Sequence, residues 1–301
     1  MSPLISGAAN RNLVGIHAGV WVSDWSPTSA RHAISESAAA GFDLIEIPVA
    51  DPATTDLALT ARLLESHSIS SVVSLALSPD CDINTEDAAT SARGEKKLSD
   101  AVRFARDTGS TYVGGVLYSA MTKYDHISTE AARENSLGVL RRIANMALTS
   151  GISLGMEYVN RYESNLLNTA AQTVEFIREL DMPNVVVHLD TFHANLEETS
   201  QGAAVRDSGG LLGYIHAAEN HRGYLGSGSI DWPHLFDALA RTGYSGPITF
   251  ESFSRAVVSP GTADDIGLWR SLWDDPAPLA RHAHDFLRSQ LHATLSVHTD
   301  H

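Results

Sequence analysis

Short apolar runs alternate with longer stretches of helical spacing along almost the whole chain. LVGIHA (13–18), DLIEIP (43–48), ISSVVSLAL (69–77), STYVGGVL (110–117), ISLGME (152–157), NVVVHLD (184–190), GYIHAAE (213–219) and GPITFES (246–252) have the length and apolar content of strands. Between them lie helical patterns: 27–40 ending at Gly41, 55–67, 92–109 closed by Gly109, 128–151 closed by Gly151, 168–180, and 231–243. Asn168 or Thr169 can cap the fifth of these, and Asp231, with Pro233 in the first turn, caps the sixth. A weaker helix near 197–209 precedes the seventh strand, and PAPLARHAHDFLRSQL (276–291) forms the last helix.

Eight strand–helix units thus fill residues 13–290, with no Pro/Ser linker to divide them. The repeat of roughly 30–35 residues is that of a βα module. The economical reading is α/β, a single-domain (β/α)8 TIM barrel, a fold of typically ~250 residues. A doubly wound open sheet is the alternative, since counting strands does not prove closure. Residues 1–12 form an N-terminal extension. The tail 291–301 carries three histidines but reads as a flexible end in preference to a metal site.

In either α/β architecture, residues at the carboxyl ends of the strands converge on one face. Glu157, Asp190, His216 and Glu251 occupy such ends of the last four strands. Two Glu, one Asp and one His make an oxygen/nitrogen cage for one divalent metal. His188, two residues before Asp190, faces the same side of its strand and reads as a hydrogen-bonded histidine of the barrel interior in preference to a competing ligand. His17 and Trp21 either line the pocket or pack. Glu46 either meets substrate or makes a structural hydrogen bond. Glu219 and His221 serve either as supports for ligands or as loop residues. Gly226 and Gly228 permit the turn before Asp231.

Charge narrows the chemistry. The formal net charge of −15 disfavours a nucleic-acid binder, which needs a basic stripe. Cys81 is the sole cysteine, so no intrachain disulfide can form. The N-terminus lacks the charged start and apolar core of a signal peptide, and no run approaches ~20 apolar residues. A cytoplasmic location without membrane association is expected.

Four motifs, EYVNRYESNLLNT, HLDTFHANLEE, IHAAENHRGYLGSGSIDW and FESF, resemble the ketose 3-epimerases of the xylose-isomerase-like barrel superfamily, the D-tagatose, D-allulose and L-ribulose 3-epimerases. The likeness runs from IHAGVW and AGFDLIEIP through GVLYSAM to GLWRSLW (267–273). It implies metal ligation by Glu157, Asp190, His216 and Glu251, with Glu157 and Glu251 as catalytic acid/base pair. It places substrate binding on Glu163, His193 and Arg222, and implies a homodimer or homotetramer acting on a free ketose. Departures from the family pattern, Ala194 and Ala217-Ala218 with Asn220, lie beside these positions and bear on substrate preference.

The chemistry suits the residues. Inverting C3 means removing a proton beside the C2 ketone from one face and returning one to the other, which two opposed carboxylates can do. A divalent cation stabilises the cis-enediolate as a Lewis acid, and donors such as His193 and Arg222 can meet the charge developing on O2. Three oxygen ligands and one imidazole without thiolate favour Mn²⁺, with Co²⁺ or Mg²⁺ able to substitute. Competing functions are a hydroxypyruvate-type isomerase on the same barrel, an abasic-site endonuclease-like metal hydrolase, and a sugar-binding protein without catalysis. The WRSLW segment reads as a packing or subunit-contact element.

Overall fold

A computed structural model describes residues 12–48 and 55–298. The extension, apart from Asn12, and the last three residues of the tail lie outside the described residues. Strands β1 (Val14–His17), β2 (Leu44–Pro48), β3 (Ser70–Ser74), β4 (Tyr112–Gly115), β5 (Ser153–Glu157), β6 (Val185–Asp190), β7 (Leu212–Ala217) and β8 (Ile248–Phe250) pair in chain order into a closed barrel. β1 pairs with β8 in parallel, Gly15 opposite Thr249, which excludes the open sheet. The fold is the (β/α)8 barrel expected from the alternation.

The helices are α1 (Pro27–Ala39), α2 (Leu57–His67), α3 (Ala88–Thr108), α4 (Glu130–Thr149), α5 (Ala170–Leu180), α6 (Thr191–Glu197), α7 (Gln201–Ser208), α8 (Trp232–Thr242), α9 (Pro260–Asp265) and α10 (Pro276–His298). Their starts follow local chemistry. Thr169 caps α5 in a capping box with Gln172, and the Asp231 carboxylate accepts from His234 N at 3.1 Å to start α8. The weak pattern near 197–209 corresponds to α7, and a further short helix, α6, precedes it, opened by Asp190 at the end of β6, whose Oδ1 accepts from Phe192 N at 2.7 Å. The closing helix continues past Leu291 to His298. None of the described helices is long and apolar enough to cross a membrane.

Strand residues facing outward pack under the helices in one large apolar layer. Inside the barrel, Leu44, Val72, Tyr112, Val186 and Tyr214 form a separate plug. Tyr112 and Tyr214 stack there with ring centroids 4.6 Å apart. Gly155 makes room for them, since a Cβ on it would stand 1.7 Å from the Tyr112 hydroxyl. The plug closes one end of the barrel, so chemistry is confined to the other mouth.

Candidate active site

The strands deliver their terminal residues in register at that mouth: Glu157 lies opposite His188, Asp190 opposite His216, and His216 opposite Thr249. Glu251 follows β8 directly, its amide still bonded to Ala217 O at 3.1 Å. The Thr191 hydroxyl donates to Ala218 O at 2.7 Å and accepts from Ala218 N at 2.8 Å, which pins the end of β6 to that of β7. A cavity of about 210 Å³ opens over these residues, with Glu46, Glu157, Glu163, His193, His216, Arg222 and Glu251 on its polar side. Leu75, Val116, Met121, Val159, Phe253 and Ile266 supply an apolar side.

His216 is the hub. Its Nδ1 lies 3.2 Å from Glu157 Oε1 and 3.5 Å from Glu251 Oε1, and its Nε2 lies 2.8 Å from Glu46 Oε2. Burial disfavours its cationic form, but the carboxylates of Glu46, Glu251 and Glu157 outweigh this and hold the imidazole well above its ordinary pKa. Burial raises Asp190 to about 8, with Glu251 and Glu157 adding and Arg222 opposing. Burial likewise raises Glu157. Glu251 is lowered despite burial, because His216, Arg222 and His17 face it.

The Arg222 guanidinium pairs with Glu251 and reaches Asp190 Oδ2 at 3.3 Å. It rests on the Phe192 ring with 3.8 Å to the centroid. Among the described residues lining the cavity it is the sole Lys or Arg side chain, against four acids, Glu46, Glu157, Glu163 and Glu251. Asp190 adds a fifth acid beneath it.

This donor set fits a divalent cation. Asp190, His216 and Glu251 offer atoms all within 4.8 Å of one another, and Glu157 joins two overlapping trios, with His188 and His216 and with Asp190 and His193. All of these residues are buried, and buried acids need neutralising charge. The four ligand candidates read from the strand ends are therefore brought together.

The three substrate-side candidates also gather at the cavity. A residue absent from the sequence reading organises two of them. The Asn160 amide nitrogen donates to Glu163 Oε1 at 2.8 Å and lies 2.9 Å from His193 Nδ1. The Asn160 backbone N–H also donates to that Nδ1, at 3.2 Å. Nδ1 is therefore an acceptor and the proton of the neutral ring sits on Nε2, 3.6 Å from Asp190 Oδ2. Burial, then Arg222, keeps His193 neutral. Its place three residues before Glu163 was the available signal for Asn160.

Several sequence alternatives are now resolved. His188 is fully buried in the interior, edge-on to His216 with centroids 4.2 Å apart. Contrary to expectation, neither ring nitrogen has a hydrogen-bond partner among the described residues, and Glu157 Oε2 stands 3.9 Å from Nδ1. The register shift between Val187 and His188 accompanies this. His17 lines the cavity, whereas Trp21 packs. Glu219 is a loop clamp, accepting from Gly226 N, Ile230 N and Trp232 Nε1 at 2.9, 3.2 and 3.0 Å. Gly228 is required beside it, since a Cβ there would lie 2.5 Å from Glu219 Oε1. His221 caps its own loop through Gly223 N at 3.1 Å. Trp273 packs and donates to Ser252 Oγ at 2.8 Å, while Trp269 is exposed.

Comparison with known proteins adds an independent line. The family model of the xylose isomerase-like TIM barrel matches residues 34–290. The chain is 41% identical over 95% of its length to a ketose 3-epimerase of Arthrobacter globiformis, covering 99% of that protein. It is 41% identical over 92% of its length to an L-ribulose 3-epimerase of a Methylomonas species, covering 96% of it. A crystal structure of Methylomonas D-allulose 3-epimerase in complex with D-allulose superposes with a TM-score of 0.91 at 40% identity, over 93% of this chain and 98% of that one.

Proposed function

This chain belongs to the xylose isomerase-like TIM barrel family and, within it, to the ketose 3-epimerases, and from that premise we propose that it epimerises free ketoses at C3 in a metal-dependent reaction through a cis-enediolate. The observation that carries the reading is the pair of buried carboxylates, Glu157 and Glu251, set on two approaches to His216 Nδ1.

Glu157, Asp190, His216 and Glu251 would hold the cation, which supplies Lewis acidity toward the ketone and the adjacent hydroxyl. Mn²⁺ is the first choice, with Co²⁺ or Mg²⁺ able to substitute. One glutamate removes the C3 proton and the other delivers a proton to the opposite face. His193, with its proton fixed on Nε2, and Arg222 donate to O2 as negative charge develops there. Glu163, held by Asn160, takes a hydroxyl of the sugar and sets its register. The apolar side excludes water from the carbanion and leaves D-allulose/D-fructose, D-tagatose and L-ribulose as candidate substrates.

A hydroxypyruvate-type isomerase would need a free cation for the substrate carboxylate. Arg222 is already committed to Glu251 and Asp190, which favours a neutral sugar. The proposal includes no nucleic-acid or membrane partner, a cytoplasmic setting, and a homodimer or homotetramer. The test is a ketose panel run in D2O with metal-stripped and Mn²⁺-reloaded protein. Deuterium at C3 of recovered ketose, only after reloading, supports the reading; full retention of protium overturns it.

A further inference from the structure

We propose that Glu46 is a positioning residue for the metal site, fixing the tautomer and orientation of His216 so that Nδ1 faces Glu157 and Glu251; this rests on the epimerase reading of the same pocket. Glu46 is on β2, across the barrel from β7, and is 1% exposed. Its Oε2 lies 2.8 Å from His216 Nε2 and accepts from the Tyr214 hydroxyl at 2.8 Å. That hydroxyl is in turn hydrogen-bonded to Thr249 Oγ1. One carboxylate oxygen is therefore held from two sides by residues of the strand that carries the candidate ligand.

The consequence is directional. A carboxylate can only accept, so Nε2 carries a proton and the lone pair available to a cation is on Nδ1. An imidazole left without that acceptor can change tautomer or rotate about its Cβ–Cγ bond, and it is also a weaker donor to metal. Such outer contacts to a ligating histidine typically change metal affinity by about 10–100-fold. Glu46 also borders the cavity, and its Oε1, 3.8 Å from His17 Nε2, has no hydrogen-bond partner among the described residues, so contact with sugar is the rival role.

Calorimetric Mn²⁺ titration of the wild type, Glu46→Gln and Glu46→Leu separates the two. We expect Glu46→Leu to weaken Mn²⁺ binding by about 10–100-fold. Glu46→Gln, whose amide oxygen can still accept from Nε2–H, should recover most of it, with ketose KM at saturating Mn²⁺ unchanged in both. Ring-nitrogen NMR of the Mg²⁺-loaded proteins should give a single Nε2–H tautomer for His216 in the wild type and Glu46→Gln. Where Glu46→Leu does not fold, Glu46→Asp retracts the acceptor by one methylene and should show the same loss of affinity. Unchanged Mn²⁺ affinity in every folded variant overturns the inference, as does intact affinity with a raised ketose KM. Wild type that binds no Mn²⁺ overturns the epimerase reading as well; wild type that binds and epimerises beside unaffected variants overturns the role of Glu46 alone.

Discussion

Arg222 Nη1 lies 3.3 Å from Asp190 Oδ2, so the guanidinium places its charge against the same acids that a bound cation would neutralise. It therefore competes electrostatically with metal while offering a donor to substrate oxygen. Removing it should lower kcat/KM for the ketose by about 10²-fold, the scale for loss of one donor to a developing oxyanion. Mn²⁺ affinity should hold or tighten. Arg222 has φ +61°, so Arg222→Asn, which tolerates the left-handed region, should accompany Arg222→Ala. Kinetics equal to wild type would remove Arg222 from the chemistry.

Glu157 and Glu251 approach the same His216 nitrogen, and the epimerase scheme gives each one face of the sugar. Glu157→Gln or Glu251→Gln should reduce epimerisation by about 10²–10⁴-fold, the range for a lost general acid or base. Far-UV circular dichroism should stay native, since each glutamine preserves shape. The remaining carboxylate can still take and return a proton on its own face. In D2O, one variant should exchange C3 of one epimer without converting it, and the other variant the opposite epimer. A fully active single variant would exclude a two-base mechanism.

Protons and cation compete for the same atoms. Burial holds Asp190 at about 8, above its ordinary 3.8, and the surrounding carboxylates hold His216 above its ordinary 6.5. Between these ordinary values and the raised ones, the metal-free fold binds protons that the unfolded chain does not. The stability these two groups contribute is therefore complete at low pH and is lost as pH rises through the raised values. Metal displaces those protons, so Mn²⁺ affinity should increase as pH rises from 6 toward 8. The rise in Tm on adding Mn²⁺ should increase over the same interval. Calorimetry in buffers of different ionisation enthalpy should register proton release at pH 7. An affinity independent of pH across that interval would contradict protonation of Asp190 and His216 in the metal-free state.

The barrel and the four candidate ligands were legible because both are written locally. Alternating strand and helix patterns reveal the fold, and parallel strands deliver their last residues to one mouth, so Glu157, Asp190, His216 and Glu251 could be read from strand ends. Contacts across the barrel leave no such trace. Glu46 and His216 are 170 positions apart, and nothing in either strand fixes which side chain of β2 reaches β7. His188 shows the converse error: its period placed it inside, but hydrogen bonding depends on neighbours whose orientation the chain order does not give. Helix α6 was missed because it is 7 residues long, too short for a periodic pattern, and its start is set by the Asp190 carboxylate.

Asn160 makes the last case. Its amide and backbone nitrogens both address His193 Nδ1, at 2.9 and 3.2 Å, and its amide also holds Glu163 Oε1 at 2.8 Å. The Asn160 Oδ1 accepts from Tyr162 N at 3.0 Å, which fixes the amide orientation. Asn160→Ala removes the amide donors but keeps the backbone donor, so His193 should retain its tautomer and kcat/KM should fall by about tenfold, near the value of one hydrogen bond. Asn160→Asp sets a carboxylate beside Nδ1 and beside Glu163. The imidazole is then drawn to place a proton on Nδ1, and Nε2 loses its donor role unless the ring becomes cationic. Asn160→Asp should therefore cost more, about 10²-fold in kcat/KM, and part of the activity should return as pH falls and His193 gains its second proton. Ring-nitrogen NMR should show the change of tautomer directly. If both variants kept wild-type rates at every pH, the proton on His193 Nε2 would have no part in the reaction.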